Sequence, residues 1–398
     1  MPANRRALEP SAAETYSLVR DKILPAADRL SGCGSTAELL ADPVYQSLAP
    51  VIGQMLGTAH WADFRATLAP ARRQYRVVAW NIERGARLEG QLDALRTQDY
   101  LREADVLLIT EADCGMARSG NRMVAEAMAR ELGMLQVFAP CYIALGKGSG
   151  AERDAAGGNE FGLHGNSVLS RYPIRDVRLI PLINGIDKMA HREKRLGQQT
   201  AIAAAIDFPQ GPVEMVCAHL DANSTQQHRC RQMEHILSKL NPGVPVVLGG
   251  DWNTTTHNSS RALWSILGYC LRVAMGVDNS IRNHYLHPER WFERRLFGML
   301  ENNGFEHRRC NVPGEYTMYI DVNDPRIFRN LGEWMPEWCF AFIRWALRHH
   351  NGRCPMKLDW FATRGLGVAN PAVLHDLGDR AGTPLSDHDP VGIDIALL

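Results

Sequence analysis

The alternation of apolar and polar positions divides the chain into two parts. Residues 1–73 carry apolar side chains at helical spacing, as in ETYSLVRDKILPAADRL and YQSLAPVIGQMLGTAHWADF. From residue 75 onward, short apolar runs rich in β-branched residues alternate with helical stretches. The pattern therefore predicts a helical N-terminal extension over residues 1–73, followed by a mixed α/β domain over residues 74–398.

The second part contains eight runs that are typical of strands. They are YRVVAWNI (75–82), ADVLLITE (104–111), NSVLSRYPI, TAIAAAIDF, VEMVCAHL, VPVVLGGDWN, LDWFATRG (358–365) and DPVGIDIAL (389–397). Helical patterns separate several of them, as in QLDALRTQDYLREA, NRMVAEAMARELGM and TQQHRCRQMEHILSKL. Several strands are almost continuously apolar, as expected when a sheet is covered on both faces. We therefore expect sheets that are packed between layers of helices.

A segment at about 278–356 interrupts this alternation. It is rich in aromatic and arginine residues, and its stretch EWCFAFIRWALRHH predicts an amphipathic helix. We interpret the segment as an insertion in the domain. It either packs as additional core, or it forms a lid or a wall that faces a substrate.

Composition and charge narrow the class of protein. The 44 Lys and Arg residues balance the 44 Asp and Glu residues, so the whole chain lacks the excess of positive charge that is typical of nucleic-acid-binding proteins. None of the nine cysteines forms a CxxC pair, which argues against a structural zinc site and favours reduced thiols. No apolar run approaches the roughly 20 residues of a membrane span, and no apolar leader is visible. The prediction is a cytoplasmic protein, with no prediction of its oligomeric state.

Polar residues stand at the ends of the predicted strands repeatedly along the chain. They are Asn81, Glu83, Glu111, His219, Asp251, Asn253, Asp359, Asp387 and His388. Strand ends and their loops are where sites are built on a rigid support. Each residue alone has a simpler explanation, because Asn and Asp are common in turns, acids cap helices, and many histidines are interior. The whole set, with oxygen or imidazole donors throughout, predicts one reactive site.

The donor types indicate which metal such a site would bind. Glu111, Glu83, Asp387 and Asn81 offer hard oxygen ligands, which suit Mg²⁺ or Mn²⁺. A zinc site would call for more closely spaced histidines or cysteines. The sequence therefore predicts a Mg²⁺ cofactor, with Mn²⁺ as the alternative, and a phosphoester as the substrate.

The remaining residues suit hydrolysis by an attacking water. Asp251 can accept a proton from the water, and Asn253, two residues further on, can orient it. His219 and His388 can donate to phosphate oxygens. If Asp359 met His388, it would fix the tautomer of that ring. Asn166 lies in a glycine-bearing stretch before VLSR, and we predict that it reaches the substrate.

Seven blocks of the sequence resemble a known family. In chain order they are WNIE, LLITEAD, GNSVLSRYPI, CAHLDA with RCRQ, GGDWNT, LDWFATRG and SDHDPVGIDI. They resemble the signature blocks of the endonuclease/exonuclease/phosphatase superfamily, the DNase I-like proteins, over about residues 75–398, with 278–356 matching poorly. The resemblance implies a four-layer sandwich of two mostly antiparallel sheets flanked by helices, and Mg²⁺-dependent hydrolysis of phosphoesters.

The same resemblance implies a role for each residue of the site. Glu111 matches the principal metal ligand, with Asn81, Glu83 and Asp387 near the metal, although relatives vary at the position of Glu83. Asp251 and Asn253 match the water-activating pair, Asp359 and His388 match the Asp–His pair, and His219 matches a position that contacts phosphate.

Three functional hypotheses follow from these residues. The first is a Mg²⁺-dependent phosphodiesterase of nuclease type. The second keeps the chemistry and changes the substrate, to a phospholipid head group or a phosphorylated small molecule, which the balanced charge and the aromatic insertion favour. The third, a non-catalytic binding module, predicts the loss of a metal or base position, and every position is filled.

Overall fold

The N-terminal extension is a set of short helices that pack on the rest of the chain. The computed structural model describes residues 12–254, 262–324 and 337–397. Within the extension it contains α1 (Ala12–Leu18), α2 (Ala27–Ser31), α3 (Thr36–Ala41) and α4 (Pro43–Gly57). Asp42 caps α4 by accepting hydrogen bonds from the backbone amides of Val44 and Tyr45. The apolar side of these helices joins the same cluster of buried residues as the neighbouring sheet.

The larger sheet has eight strands. They are β1 (His60–Asp63), β2 (Tyr75–Arg84), β3 (Val106–Cys114), β4 (Leu135–Ala144), β5 (Leu163–Ser170), β7 (Arg195–Gly197), β14 (Leu366–Val373) and β15 (Val391–Leu397). Their order is β1-β4-β5-β3-β2-β15-β14, and β7 also pairs with β4. The pair β2–β3 is parallel and the other pairs are antiparallel.

The smaller sheet has five strands in the order β13-β10-β9-β8-β6. They are β6 (Ile174–Pro181), β8 (Thr200–Phe208), β9 (Gly211–Cys217), β10 (Val246–Asp251) and β13 (Asp359–Arg364). The pair β9–β10 is parallel, and the others are antiparallel. Alternate residues of the two sheets face each other in one buried cluster, which includes Val77, Leu108, Met215, Val247 and Ile393. The two sheets therefore pack face to face over the central core.

Helices cover the outer faces of both sheets. On the larger sheet lie α5 (Leu88–Thr97), α6 (Asp99–Arg102) and α7 (Val124–Leu132), together with the N-terminal helices. On the smaller sheet lie α8 (Gln226–Leu237) and α11 (Arg294–Asn302). The layers run helices, sheet, sheet, helices, which confirms the predicted four-layer sandwich with two mostly antiparallel sheets.

The prediction of helix up to residue 73 is wrong at its end. Helix α4 ends at Gly57, and His60–Asp63 forms β1, which pairs antiparallel with β4. A strand edge has backbone N–H and C=O groups without partners, and pairing with a further strand satisfies them. The apolar spacing of HWADF does not reveal this, because a run of four residues fits a helix turn as well as a strand.

The insertion forms a small unit with its own core. Its elements are α10 (Val277–Ser280), the two-stranded sheet β11 (Met318–Asp321) with β12 (Arg353–Met356), and α12 (Glu337–Ala346), while α11 of the insertion packs on the smaller sheet. Helix α9 (Ala262–Ala274) precedes the insertion in the chain and packs against its core through Tyr269. The predicted helix EWCFAFIRWALRHH is confirmed as α12 over its first ten residues. Ile281, Tyr285 and Ile343 are among the buried residues of this unit. Residues 325–336 of the insertion lie outside the described residues. In the part of the chain that the structure describes, no helix has the length and apolar character that crossing a bilayer requires.

Candidate active site

The strand ends named above meet at one edge of the two sheets. The parallel strands β2 and β3 carry Asn81 and Glu111 near their carboxyl ends. In the second sheet, Asp251 ends β10 directly opposite Asp359, which begins the antiparallel strand β13. The sandwich therefore brings residues that are up to about three hundred positions apart in sequence to a single location.

Irregular backbone at the ends of β2 and β3 aims the side chains into this location. The pairing of β2 with β3 shifts register between Asn81 and Arg84, and β3 shifts against β5 around Glu111. Glu83, Arg84 and Glu111 have φ values of 46°, 65° and 57°, and Asn253 has 51°. Left-handed backbone is unfavourable for residues other than glycine, and such strain accumulates at functional sites. The bulges therefore redirect side chains that a regular strand would point elsewhere.

Asp251 is the centre of the site. Its Oδ2 atom accepts a hydrogen bond from Nδ2 of Asn81 at 3.0 Å. The Nε2 atoms of His219 and His388 lie 3.4 Å and 3.8 Å from the same oxygen. Its other oxygen, Oδ1, accepts from the backbone amide of Asn253 at 2.9 Å. The buried carboxylate of Asp251 thus faces two imidazoles and an amide. This environment suits a carboxylate that accepts a proton from a bound water.

Glu111 adjoins this centre through Asn81. Nδ2 of Asn81 also donates to Oε1 of Glu111 at 3.2 Å, and Nε2 of His219 lies 4.0 Å from that oxygen. On the other side, Nε of Arg84 is 3.9 Å from Oε2 of Glu111. Burial alone would raise the pKa of Glu111, but Arg84 and His219 outweigh it and hold the pKa well below its ordinary value. The carboxylate therefore stays ionised, as a ligand for a hard cation must be.

His388 and Asp359 form a buried pair beside Asp251. Nδ1 of His388 lies 2.8 Å from Oδ2 of Asp359. Burial alone would lower the pKa of His388, but the carboxylates of Asp359 and Asp251 outweigh it and raise the pKa well above its ordinary value. Asp359 therefore fixes the ring so that Nε2 points at Asp251 and favours its protonated form.

Thr317 stabilises the position of Asp359 through hydrogen bonds. No motif in the sequence indicated this role. Its hydroxyl donates to Oδ2 of Asp359 at 2.7 Å and accepts from the backbone amides of Leu358 and Asp359 at 3.0 Å each. Thr317 lies in the insertion, just before β11, and no motif surrounds it. Ser386 has a similar role for His388. Its hydroxyl donates to the carbonyl oxygen of Asn81 at 2.7 Å and accepts from the backbone amide of His388 at 3.2 Å. In the sequence Ser386 was marked only as the first residue of the SDH motif.

The other predicted residues are placed as follows. Nδ2 of Asn253 donates to the carbonyl of Leu220 at 2.9 Å, which links β10 to the loop after His219. The backbone amide of Glu83 donates to Oδ1 of Asn81 at 3.1 Å. The side chains of Glu83 and Asp387 both line a neighbouring cleft. The structure thus places Glu83 and Asp387 at the rim and the other predicted residues of the site, except Asn166, at its centre.

Asn166 is placed differently. It is buried in β5, and its amide nitrogen donates to the carbonyl oxygen of Thr200 at 2.9 Å and to Sγ of Cys141 at 3.5 Å. These bonds join β5 to β8 and β4. Its contact with a substrate stays a prediction.

A buried ionic network contacts Glu111 through Arg84. Arg118 binds both oxygens of Asp113 at 2.7 Å and 2.9 Å, and Nδ1 of His164 lies 2.8 Å from Asp113. Arg118 also contacts Glu152, which pairs with Arg84. The sequence by itself assigns no role to Asp113 or His164. The network shows that they hold Arg84, and through it Glu111, in place.

The tightest cluster of possible metal ligands is not the predicted one. Among the described residues, the group of acids, histidines and cysteines whose ligand atoms all lie within 4.8 Å of one another is Asp251, Asp359 and His388. Since Nδ1 of His388 already bonds Asp359, this trio is better suited to handling a proton. The predicted metal ligands lie further apart around Glu111, as expected of a cation that keeps several waters.

A cleft of about 730 Å³ adjoins Glu83 and Asp387. Its described lining contains seven carboxylates and one guanidinium: Glu83, Asp321, Asp324, Asp376, Asp379, Asp387, Asp389 and Arg353. The guanidinium is itself paired, because Nε of Arg353 lies 3.1 Å from Asp321. Tyr316 and Tyr319 form part of the wall. The approach to the site from this side is therefore strongly acidic.

Comparison with known proteins agrees with the fold. The family model of the Endonuclease/Exonuclease/phosphatase family matches residues 78–388, and the chain therefore belongs to this family of phosphoesterases. No curated protein matches the sequence.

Solved structures resemble the chain at low identity. An endonuclease/exonuclease/phosphatase from Beutenbergia cavernae is 18% identical, with a TM-score of 0.50 over 82% of this chain and 72% of that one. The human Nocturnin catalytic domain is 14% identical, with a TM-score of 0.43 over 85% and 98%. TDP2 of D. rerio, humanized by 14 mutations, is 12% identical, with a TM-score of 0.44 over 81% and 99%. At these identities the likeness concerns the fold.

Proposed function

We propose that the protein is a divalent-metal-dependent phosphodiesterase that uses a bound water as its nucleophile. The observation that carries the proposal is the convergence on Oδ2 of Asp251, where Asn81, His219 and His388 lie within 3.0 to 3.8 Å. Family membership supports hydrolysis of a phosphoester. The metal, the diester preference and the roles of single residues are our own inferences.

The residues around Glu111 fit a hard cation. Their donors are carboxylate and amide oxygens, and Glu111 stays ionised. Glu111 and Asn81 would hold the ion, with Glu83 and Asp387 contributing from the rim. When bound, Mg²⁺ or Mn²⁺ would stabilise negative charge on the phosphoryl oxygens.

The chain's own residues account for the proton transfers. Asp251 accepts a proton from the attacking water, and Asn253 fixes Asp251 through its backbone amide. As the ester P–O bond breaks, His388, kept protonated by Asp359, gives its proton to the leaving oxygen, and His219 donates a hydrogen bond to a non-bridging phosphate oxygen. Burial of these groups reduces screening by water, so each charge acts more strongly than it would at the surface.

The acidic cleft bears on the choice of substrate. A long nucleic acid binds mainly through neutralisation of its phosphates by lysine and arginine, and the described lining of this cleft offers one arginine against seven carboxylates. This favours the second hypothesis, a phospholipid head group or another small phosphoester, over a nuclease. A nuclease would show binding that weakens steeply with added salt, and a small-phosphoester enzyme would not.

The test is hydrolysis of bis-p-nitrophenyl phosphate by the parent and by Asp251→Asn and His388→Ala. We expect the parent to be inactive after chelation and restored by Mg²⁺ or Mn²⁺. Each variant should lose at least about 10³-fold in kcat, since both proton transfer and charge stabilisation are removed. The matched control is Asp93→Asn, an exposed carboxylate on α5, which should leave kcat unchanged.

Either of two results would contradict the proposal. One is a folded Asp251→Asn protein as active as the parent. The other is parental activity that survives chelation undiminished. A panel of plasmid DNA, RNA, phospholipid and inositol phosphates then identifies the substrate.

A further inference from the structure

Helix α9 presents its apolar side chains to solvent. Leu263, Leu267, Leu271 and Met275 recur every four residues, so they share one face, and Trp264 lies beside them. These five side chains are between 45% and 62% exposed. A surface helix normally turns such a stripe towards the core. The orientation of α9 is therefore the reverse of the usual one.

The charged residue of α9 confirms the reversal. Arg272 is buried, and its Nη1 atom donates to the carbonyl of Gly268 at 2.8 Å. Its guanidinium lies 4.6 Å from the ring centre of Phe292 and 5.6 Å from that of Tyr285. Arg272 is the one charged residue between Ala262 and Ala274. The outer surface of α9 therefore carries no charge, and exposed apolar patches of this kind mark sites of interaction.

Helix α12 extends this surface with an exposed tryptophan. Phe342 meets Tyr269 of α9 edge to face at 5.9 Å, and Trp345 stacks on Phe342 at 5.7 Å. Trp345 is itself 54% exposed, and the guanidinium of Arg348 lies 4.7 Å above its ring. We call the exposed side chains of α9 and Met275, together with Trp345 and Arg348, the α9–α12 face.

The charge of this face points to its partner. Arg344 and Arg348 are both exposed on either side of Trp345 in sequence, and residues 262–274 and 339–350 contain no carboxylate, in a chain whose net charge is zero. Leucine and tryptophan with flanking arginine are the residues that lie at the boundary between lipid head groups and acyl chains. Positive charge beside them is attracted to anionic lipids.

A second copy of this chain is a less suitable partner. In a two-fold dimer each face would meet itself. Pairing two faces with the same excess of arginine brings like charges together, whereas an anionic bilayer offers the opposite charge.

We propose that the α9–α12 face docks on the surface of an anionic lipid bilayer. The side chains of Leu263, Leu267 and Leu271 enter the interface, and Trp345 with Arg348 lies at head-group depth. Helix α9 follows the strand that ends in Asp251 along the chain. The proposal concerns a surface outside the catalytic site and holds whatever phosphoester the site cleaves.

The test measures co-sedimentation with phosphatidylcholine vesicles that contain or lack phosphatidylserine. The parent should bind the anionic vesicles and bind them less with added salt. Leu267→Glu with Leu271→Glu should lower the partition coefficient at least about tenfold, since it places two charges where apolar burial is needed. The matched control, Leu40→Glu with Leu68→Glu, changes two leucines of similar exposure outside the face and should bind as the parent does.

A second measurement keeps the test valid if the α9 variant fails to fold. Cys270 lies on α9 and is exposed, while the other eight cysteines are buried or half-buried. A polarity-sensitive thiol dye on Cys270 should shift to shorter wavelength when anionic vesicles are added. Cys270→Ser should lose this shift.

The outcomes separate docking from catalysis. Asp251→Asn should bind vesicles as the parent does, even though it is expected to be inactive. The proposal is wrong if the parent does not bind anionic vesicles, or if the α9 and control variants bind them equally. It is also wrong if the emission of the dye on Cys270 does not shift. A dimer that the α9 variant disrupts, without vesicle binding, would assign the face to a second copy and overturn the proposal as well.

Discussion

The imidazole of His60 lies in an apolar environment between the extension and the larger sheet. Its ring stacks on Tyr16 at 4.7 Å and lies 6.3 Å from that of Phe138. Neither ring nitrogen has a hydrogen-bond partner among the described residues. Burial lowers the pKa of His60 from 6.5 to about 4. His60 is therefore neutral in the folded protein at pH values at which the unfolded chain is protonated.

The sign of the effect follows from these two values. Between pH 6.5 and pH 4 the unfolded chain binds a proton at His60 and the folded chain does not, so the free energy of unfolding falls as the pH falls. Above pH 6.5 the contribution is complete and constant. Moving from about pH 7.5 to about pH 5 costs about 2 kcal/mol at this residue, because each unit of pKa difference corresponds to about 1.4 kcal/mol.

The perturbation is His60→Phe, which removes the titration and the two unpaired nitrogens. A cavity of about 420 Å³, lined partly by Tyr16 and Phe161, adjoins His60 and can receive the larger ring. At neutral pH the variant should be more stable by about 1 kcal/mol, because it no longer buries unsatisfied polar atoms. At about pH 5 this advantage should grow to about 3 kcal/mol.

Urea unfolding of parent and variant at both pH values measures the difference, and other titrating groups cancel between the two proteins. The control is His349→Phe, an exposed histidine whose replacement should leave the pH dependence as in the parent. An advantage of His60→Phe that stays the same at both pH values would refute the reasoning.

Three further predictions concern the strands and the site. Gly250→Ala should lower the free energy of unfolding by at least about 3 kcal/mol, because φ of Gly250 is 131° and a Cβ there would lie 2.2 Å from a backbone oxygen. The control is Gly243→Ala, at a positive φ with open space around it, which should lower the free energy of unfolding by about 1 kcal/mol in the same denaturation experiment. Arg229→Met should destabilise by about 3 to 5 kcal/mol, because it leaves the buried carboxyl of Glu293 without its partner, and adding Glu293→Leu should recover most of this loss. Thr317→Val should lower kcat roughly 10- to 100-fold while the Mg²⁺ concentration for half-maximal activity stays unchanged, and a shift in that concentration instead would count against its role under the Asp–His pair.

Strands with strong local patterns could be predicted from the sequence. TAIAAAIDF predicted the bounds of β8 as observed, Thr200–Phe208. The motifs GGDWN and SDH placed Asp251 and His388, and the structure brings both together. Each of these signals is local, because the residues that define it are adjacent in the chain.

Features that depend on distant contacts could not be predicted. All ten residues of β4 are buried, yet the run LQVFAPCYIA contains a proline and shows no alternation. Thr317 acts only because the insertion folds back on Asp359. The exposed stripe of α9 has the spacing of a core-facing helix, and periodicity does not reveal which side of a helix the rest of the protein covers.

The bulges at the ends of β2 and β3 have a consequence for engineering. Glu83, Arg84 and Glu111 are held in a backbone conformation that glycine adopts at no cost. Replacing Glu83 with glycine would relieve this strain and remove a proposed metal ligand, whereas replacing Arg84 or Glu111 would also break the ion pairs that join Arg84 to Glu111 and Glu152. Selection for heat resistance alone would therefore favour the loss of Glu83 at the expense of activity, and a thermostable version should be sought by changes away from these three positions.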